Sequence, residues 1–133
     1  MQYNALVKQL KFETADDGSK VVTMTTELFN HLLRGALKAK GIFDERFYIL
    51  TNPDIAHAVR SKKFTSGSEH YFETGYFENR FPKRFLVDEK YYLKENPDVA
   101  DGIRKRTEKS GQSHFDGIGF NEGRSPYKDF SLF

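Results

Sequence analysis

The stretch DERFYILTNPDIAHAVRSKKFTSGSEHYFETGYFENRFP, residues 44–82, returns as DEKYYLKENPDVADGIRKRTEKSGQSHFDGIGFNEGRSP at residues 88–126. The two 39-residue units lie 44 positions apart, align without a gap and are identical at 15 positions. Repetition at a fixed period of this length indicates a repeat fold, in which each unit is one supersecondary structure packed on its neighbour.

The capping and helix-breaking residues of each unit predict three short helices. An aspartate suited to an N-cap precedes the first helix, which we expect to begin at Glu45 and Glu89. An Asn-Pro pair then ends the first helix and begins the second at Pro53 and Pro97, since proline is favoured at the first helical position.

The third helix of each unit is predicted from a serine cap and a glycine. Ser66 caps this helix in the first unit, and a serine occupies the same place in the second. Gly75 and Gly119, each followed by an aromatic residue, are predicted to take the left-handed conformation that ends a helix. Asn79 aligns with Gly123, and both tolerate positive φ, so a sharp turn is expected there as well.

The part before the repeats is unique. Ala5–Thr14 and Lys20–Thr25 flank an Asp-Gly pair, a pattern that favours a β-hairpin. A helical stripe follows over Leu28–Leu37, capped by a threonine and ended by Gly41.

These elements predict a mainly α fold with two tandem three-helix repeats packed on an N-terminal helix, and a short N-terminal β-hairpin. We divide the chain into an N-terminal hairpin and helix that act as a cap (1–43), repeat 1 (44–86), and repeat 2 with an aromatic tail (87–133), together one compact domain. Two repeats are few for a free-standing array, so either the N-terminal part caps them or the chain forms a homo-oligomer.

Composition narrows the classes of function. Charge is nearly balanced, with 21 Lys and Arg against 19 Asp and Glu, and no segment carries the basic excess typical of a nucleic-acid footprint. The sequence has no cysteine, which excludes disulfides, thiolate metal sites and cysteine nucleophiles. No signal-like or membrane-spanning apolar run is present, so we expect a cytoplasmic protein, or one exported by a route without a cleaved N-terminal signal.

His70 and His114 are the first candidates for chemistry, because histidine serves as metal ligand and general base. Duplication of the histidine with its whole surroundings favours a structural role, buried and hydrogen bonded, over a catalytic one. No further ligands at metal-site spacing and no nucleophile beside a base occur in the sequence. We therefore predict no metal, no cofactor and no enzymatic activity.

Charged pairs are the second candidates. Arg80 and Arg124 could grip a carboxylate, a phosphate or sugar hydroxyls through their planar fork. The favoured interpretation is an ion pair inside each repeat, with the acidic partners Glu78, Glu122, Asp54 and Asp98. Arg60–Lys63 and Arg104–Arg106 could contact nucleic acid, although cations also suit the end of the second helix.

Aromatic side chains supply the remaining candidate surface. Tyr48 and Tyr92 occupy the same position of the first helices, and Phe77 and Phe81 of repeat 1 align with polar residues in repeat 2. Rings of this kind could form a platform for a glycan or a partner protein, but packing against the Leu28–Leu37 helix is favoured. These four aromatic residues, together with Arg80 and Arg124, are the predicted binding residues, although the sequence pattern that singles them out is not specific to binding sites.

The duplicated string resembles a tandem repeat of many bacterial proteins, DExYYLxxNPDVA followed by SGxxHYxxxGxxEGRxP. Residues 88–100 match the first half closely, and residues 66–80 match the second, with Asn79 in place of the usual glycine. Such repeats occur beside glycosyltransferase domains in surface-polysaccharide proteins and in secreted proteins of the haemolysin type. The resemblance implies a non-enzymatic binding or adaptor protein linked to surface-polysaccharide synthesis, regulation or recognition, whose partner is a protein or a glycan. The alternative is a nucleic-acid-binding regulator that uses the basic helix ends.

Overall fold

The computed structural model describes residues 2–132, so Met1 and Phe133, the outer ends of the first and last predicted segments, lie outside it. A short helix, a hairpin and a long helix form the N-terminal part: α1 (Tyr3–Val7), β1 (Lys11–Thr14), β2 (Lys20–Thr23) and α2 (Thr26–Lys40). Helix α1 was not predicted. The hairpin is confirmed over Lys11–Thr14 and Lys20–Thr23, whereas Ala5–Val7, expected in its first arm, is helical. Helix α2 is confirmed, and Gly41 ends it with a φ of 66°.

The repeats have the same helical order. Repeat 1 contains α3 (Glu45–Thr51), α4 (Pro53–Arg60) and α5 (Gly67–His70), and α5 continues as a π-helical segment, Tyr71–Gly75. Repeat 2 contains α6 (Glu89–Glu95), α7 (Pro97–Arg104) and α8 (Gly111–His114), continued by the π-helical segment Phe115–Gly119. The mainly α fold class and the helix starts at Glu45, Glu89, Pro53 and Pro97 are therefore confirmed.

Side-chain caps explain why these helices begin where they do. The Asp44 side chain accepts a hydrogen bond from the Phe47 N–H at 2.9 Å, and Ser66 accepts one from the Glu69 N–H at 3.0 Å. Each satisfies a backbone donor that the first helical turn leaves free. The equivalent caps recur in repeat 2.

The prediction of left-handed Gly75 and Gly119 is wrong. Neither has positive φ, whereas Asn79 and Gly123 do, at 56° and 73°. The Arg80 N–H donates to the Gly75 carbonyl at 2.9 Å, which makes Asn79 the left-handed residue of a Schellman ending one turn later than expected. In each unit the π-helical segment therefore ends at the glycine itself, and the left-handed residue lies four positions further on, in the turn that follows.

Close packing explains why these positions are glycine. A Cβ on Gly75 would lie 2.1 Å from the Tyr48 hydroxyl, and one on Gly119 would lie 2.2 Å from the Tyr92 hydroxyl. The small side chain lets the tyrosine of the first helix reach across the third. Both positions do require glycine, but the reason is a tertiary contact with a tyrosine rather than the backbone conformation.

Two buried clusters form the core, one in each repeat. Repeat 1 packs Leu37 of α2 with its own residues Tyr48, Ile55, Tyr71 and Phe72. Repeat 2 packs its own residues Tyr92, Val99 and Phe115 with Phe85 from the segment that precedes it. Leu132 contacts both clusters, and Phe81 and Ile42 contact the second, so the C-terminal tail, the end of repeat 1 and the residues after α2 join them.

Each repeat also closes on itself. The Asp44 N–H donates to the Pro82 carbonyl at 2.9 Å, and the Asp88 N–H donates to the Pro126 carbonyl at the same distance. These bonds join the first and last residues of each 39-residue unit. The repeat boundaries recognised in the sequence thus coincide with a physical closure.

Candidate binding groove between the repeats

A buried tyrosine–histidine pair lies at the centre of each repeat. The Tyr48 hydroxyl and His70 Nδ1 are hydrogen bonded at 2.9 Å, and Tyr92 and His114 form the same bond at the same distance. Both histidines are buried, and both tyrosines are wholly inaccessible. The burial and hydrogen bond expected of structural histidines are thus present at both positions.

Burial keeps the first pair uncharged. Desolvation, aided by the positive charge of Arg80, lowers the pKa of His70 below its ordinary value. Desolvation also raises the pKa of Tyr48 to about 12. A neutral imidazole can accept a hydrogen bond from the phenolic O–H at one ring nitrogen, so the two groups satisfy each other without introducing charge into the core.

The turn that follows the third helix of each repeat, which we call the exit turn, carries an arginine. This arginine joins the exit turn to the second helix. Arg80 Nη2 lies 2.8 Å from Asp54 Oδ2, its Nε lies 2.6 Å from Glu78 Oε2, and its Nη1 donates to Asn52 Oδ1 at 2.8 Å. The corresponding distances at Arg124 are 2.8 Å to Asp98, 2.7 Å to Glu122 and 2.9 Å to Asn96. The ion pairs favoured from the sequence are therefore present in both repeats.

The arginine fork also fixes the ionisation of its partners. Hydrogen bonds from Arg124 hold the pKa of Asp98 down to about 2, and Arg80 lowers the pKa of Asp54 in the same way. These carboxylates stay ionised in mildly acidic solution.

Glu45 and Glu89 have a role that the sequence did not reveal. Glu45 accepts hydrogen bonds from the Gly67 and Ser68 N–H groups, at 2.7 and 2.8 Å, and so caps α5 from another helix. Glu89 does the same for α8, from Gly111 and Gln112. Their identity in both units was the available signal, but only the fold brings them to those helix ends.

The identical residues of the two units thus serve the scaffold. Thirteen of the fifteen are caps, helix-starting prolines, close-approach glycines or members of the hydrogen-bond networks, and the others are Ala56 and Arg60 with their counterparts. A binding surface is therefore to be sought at the junction where the two units meet.

Such a surface exists between the two exit turns. A cavity of about 290 Å³ is lined by Tyr76, Phe77, Asn79, Arg80, Phe120, Gly123, Arg124, Phe130 and Leu132. This volume lies near the lower end of the range for small-ligand sites. We call it the inter-repeat groove. Both arginines that were predicted as binding residues line it, one from each repeat.

Its electrostatics favour an uncharged ligand. Each groove arginine is bound by two carboxylates of its own repeat, so each of these clusters carries a net negative charge. An anion would have to compete with two bound carboxylates at each guanidinium. The rings of Tyr76, Phe77, Phe120 and Phe130 supply apolar lining.

The predicted aromatic platform needs correction. Tyr48 and Tyr92 are wholly buried, so their prediction as binding residues is wrong: their rings fill the core and their hydroxyls bind histidine. Phe81 is half-buried, and its ring stacks on Phe120 at a centroid distance of 4.2 Å. Phe77 lines the groove and remains 43% exposed.

The basic helix ends are partly neutralised. Asp101 forms ion pairs with Arg104 and Lys105 in repeat 2. Lys62 and Arg106 both have φ of 60° and are left-handed residues that end α4 and α7, a conformation that the sequence gave no reason to expect. Nucleic-acid binding through these helix ends stays a prediction.

Among residues 2–132, no cluster of three or more His, Cys, Asp or Glu side chains is arranged to hold a metal ion. No helix in that range has the length and apolar character needed to cross a membrane. Comparisons with protein families, with curated proteins and with solved structures find no match to this chain.

Proposed function

We propose that this chain is a non-enzymatic binding protein that holds a segment of glycan in the inter-repeat groove. It would act as an adaptor or recognition module in bacterial surface-polysaccharide synthesis or its regulation. The observation that carries the proposal is the groove itself, with aromatic rings and internally paired arginines contributed by both repeats. The link to polysaccharide rests on the resemblance of the repeat.

The chemistry of the lining supports a sugar as ligand. Aromatic faces pack well against the apolar faces of sugar rings, and Phe77 presents an exposed ring at the groove. The Asn79 side chain and the arginines can hydrogen bond to hydroxyl groups, since a guanidinium has five N–H donors and the internal network of Arg80 uses four.

A direct test is titration of the ¹⁵N-labelled protein with neutral oligomers of glucose, mannose and N-acetylglucosamine, followed by NMR. We expect shifts at the amides of Phe77, Asn79 and Gly123. Phe77→Ala should weaken binding about tenfold, because the apolar contact of one ring is lost. Phe29→Ala, which removes a ring that is 52% exposed on α2, is the matched control and should leave affinity unchanged.

Heparin and a DNA duplex serve as charged probes. Tight, salt-sensitive binding of either, with shifts at Arg60 and Arg104 instead of the groove, would favour the nucleic-acid alternative. Absence of groove shifts with every sugar at millimolar concentration would refute the glycan proposal. Hydrolysis or transfer of a sugar by the purified protein would refute the non-enzymatic one.

A further inference from the structure

The N-terminal hairpin lacks the support that a two-stranded sheet ordinarily needs. All eight residues of β1 and β2 are exposed, and no helix of the described chain packs extensively on them. Phe12 and Val22 are cross-strand partners on one face, and Phe12 is 61% exposed. Isolated hairpins are marginally stable in water, and three or more strands are normally required. The hairpin is therefore incomplete as it stands.

The hydrogen-bond pattern shows which groups face outward. The Ala15 N–H donates to the Ser19 carbonyl at 2.9 Å, so Ala15 points its backbone groups toward β2. Because the pattern alternates along an antiparallel strand, Glu13 also faces β2, and the N–H and C=O of Phe12 point away from the sheet. The free edge of β1 thus presents an unpaired donor and acceptor at Phe12.

The charges beside Phe12 are self-complementary. In an antiparallel pair of β1 strands related by a two-fold axis at Phe12, Lys11 of one copy lies opposite Glu13 of the other, twice. A two-fold axis at Lys11 or Glu13 would instead oppose like charges, which is destabilising. The free edge of β2 offers no such selection, because Lys20 is its one charged residue.

We propose that two copies of this chain associate through the free edges of β1 and form a four-stranded antiparallel sheet. The two Phe12 residues form a hydrogen-bonded pair at the two-fold axis, flanked by two Lys11–Glu13 pairs. One face then carries a continuous apolar row of Val22, Phe12, Phe12 and Val22. The contact is isologous and closes at two copies. It is independent of any ligand in the inter-repeat groove.

Charge reversal provides the test. Dimerisation of the full chain is measured by sedimentation equilibrium from micromolar to millimolar concentration. Glu13→Lys converts both cross-strand attractions, and the 2.7 Å Lys11–Glu13 ion pair within each strand, into repulsions and should weaken the dimer about tenfold. Lys11→Glu should do the same, and the double variant K11E/E13K should restore association. Asp16→Lys, an equal charge change in the hairpin turn, is the matched control and should have no effect.

Amide exchange locates the interface. The Phe12 N–H should become protected as concentration rises, while the Phe29 amide, inside α2, should show no dependence on concentration. A chain that is monomeric at millimolar concentration would overturn the proposal. So would a dimer whose affinity is the same in E13K, K11E and the wild type, or one in which Phe12 exchange is independent of concentration. Circular dichroism of each variant verifies that the helical body is intact.

Discussion

Replacement of Tyr71 by phenylalanine should stabilise the protein. Among the described residues, the Tyr71 hydroxyl is the one buried side-chain polar atom without a hydrogen-bond partner. The residue is 1% exposed, and its ring packs edge-on against Tyr48 at a centroid distance of 5.6 Å. A buried polar group left unpaired costs about 1–3 kcal/mol relative to solvent. Removing it without changing the ring should recover part of that cost.

The second repeat indicates that the ring itself fits. Phe115 occupies the aligned position, is completely buried, and packs edge-on against Tyr92 at 6.0 Å. Tyr71→Phe should therefore raise the free energy of unfolding by about 1 kcal/mol, or the melting temperature by about 3–5 °C. Urea denaturation followed by circular dichroism measures the first quantity, and calorimetry measures the second.

Tyr48→Phe is the matched control. It removes a hydroxyl that is bound to His70 at 2.9 Å, so the imidazole loses its buried partner and stability should fall by about 1–3 kcal/mol. The two variants delete the same atom type from neighbouring rings of one core and should differ in sign. A loss of stability in Tyr71→Phe as large as that in Tyr48→Phe would refute the argument from hydrogen-bond satisfaction.

Three further predictions concern the scaffold. Gly75→Ala should cost about 2–3 kcal/mol in urea denaturation, because the new Cβ would lie 2.1 Å from the Tyr48 hydroxyl; Gly117→Ala, with nothing within 4 Å, should be neutral or stabilising. Arg124→Lys should lower the melting temperature by about 2–4 °C, since lysine cannot form the paired bonds to Asp98, and an unchanged temperature would contradict this. Because the pKa of Asp98 falls from 3.8 to about 2 on folding, the stability from this contact is complete above pH 3.8 and is lost as pH falls toward 2. Asp98→Asn should therefore flatten the acid limb of a melting-temperature profile, and an acid limb as steep as that of the wild type would count against it.

The sequence by itself determined where most of the helices begin and where some of them end. Asp44 at a cap and Gly41 at a helix end act through hydrogen bonds to residues a few positions away, and Pro53 at a first helical position acts through the φ that its ring fixes. Their meaning depends on backbone geometry alone, which is why the helix starts were predictable. The repeat itself was visible because the same local signals occur twice.

The tertiary structure decided how residues distant in sequence use their side chains. Gly75 was assigned a left-handed conformation because a glycine near a helix end usually has that role, whereas its cause is the Tyr48 hydroxyl 27 positions earlier in the chain. Tyr48 was a candidate binding residue because a ring with a hydroxyl group suits an exposed surface as well as a buried core. The groove between the repeats is lined by Arg80 from one unit and Arg124 from the other, and no spacing within one unit predicts that the two lie at one cavity. Hydrogen bonds at helix caps join residues close in sequence, so the sequence predicts them. Packing between distant residues depends on how the two repeats dock, and the whole core sets that docking.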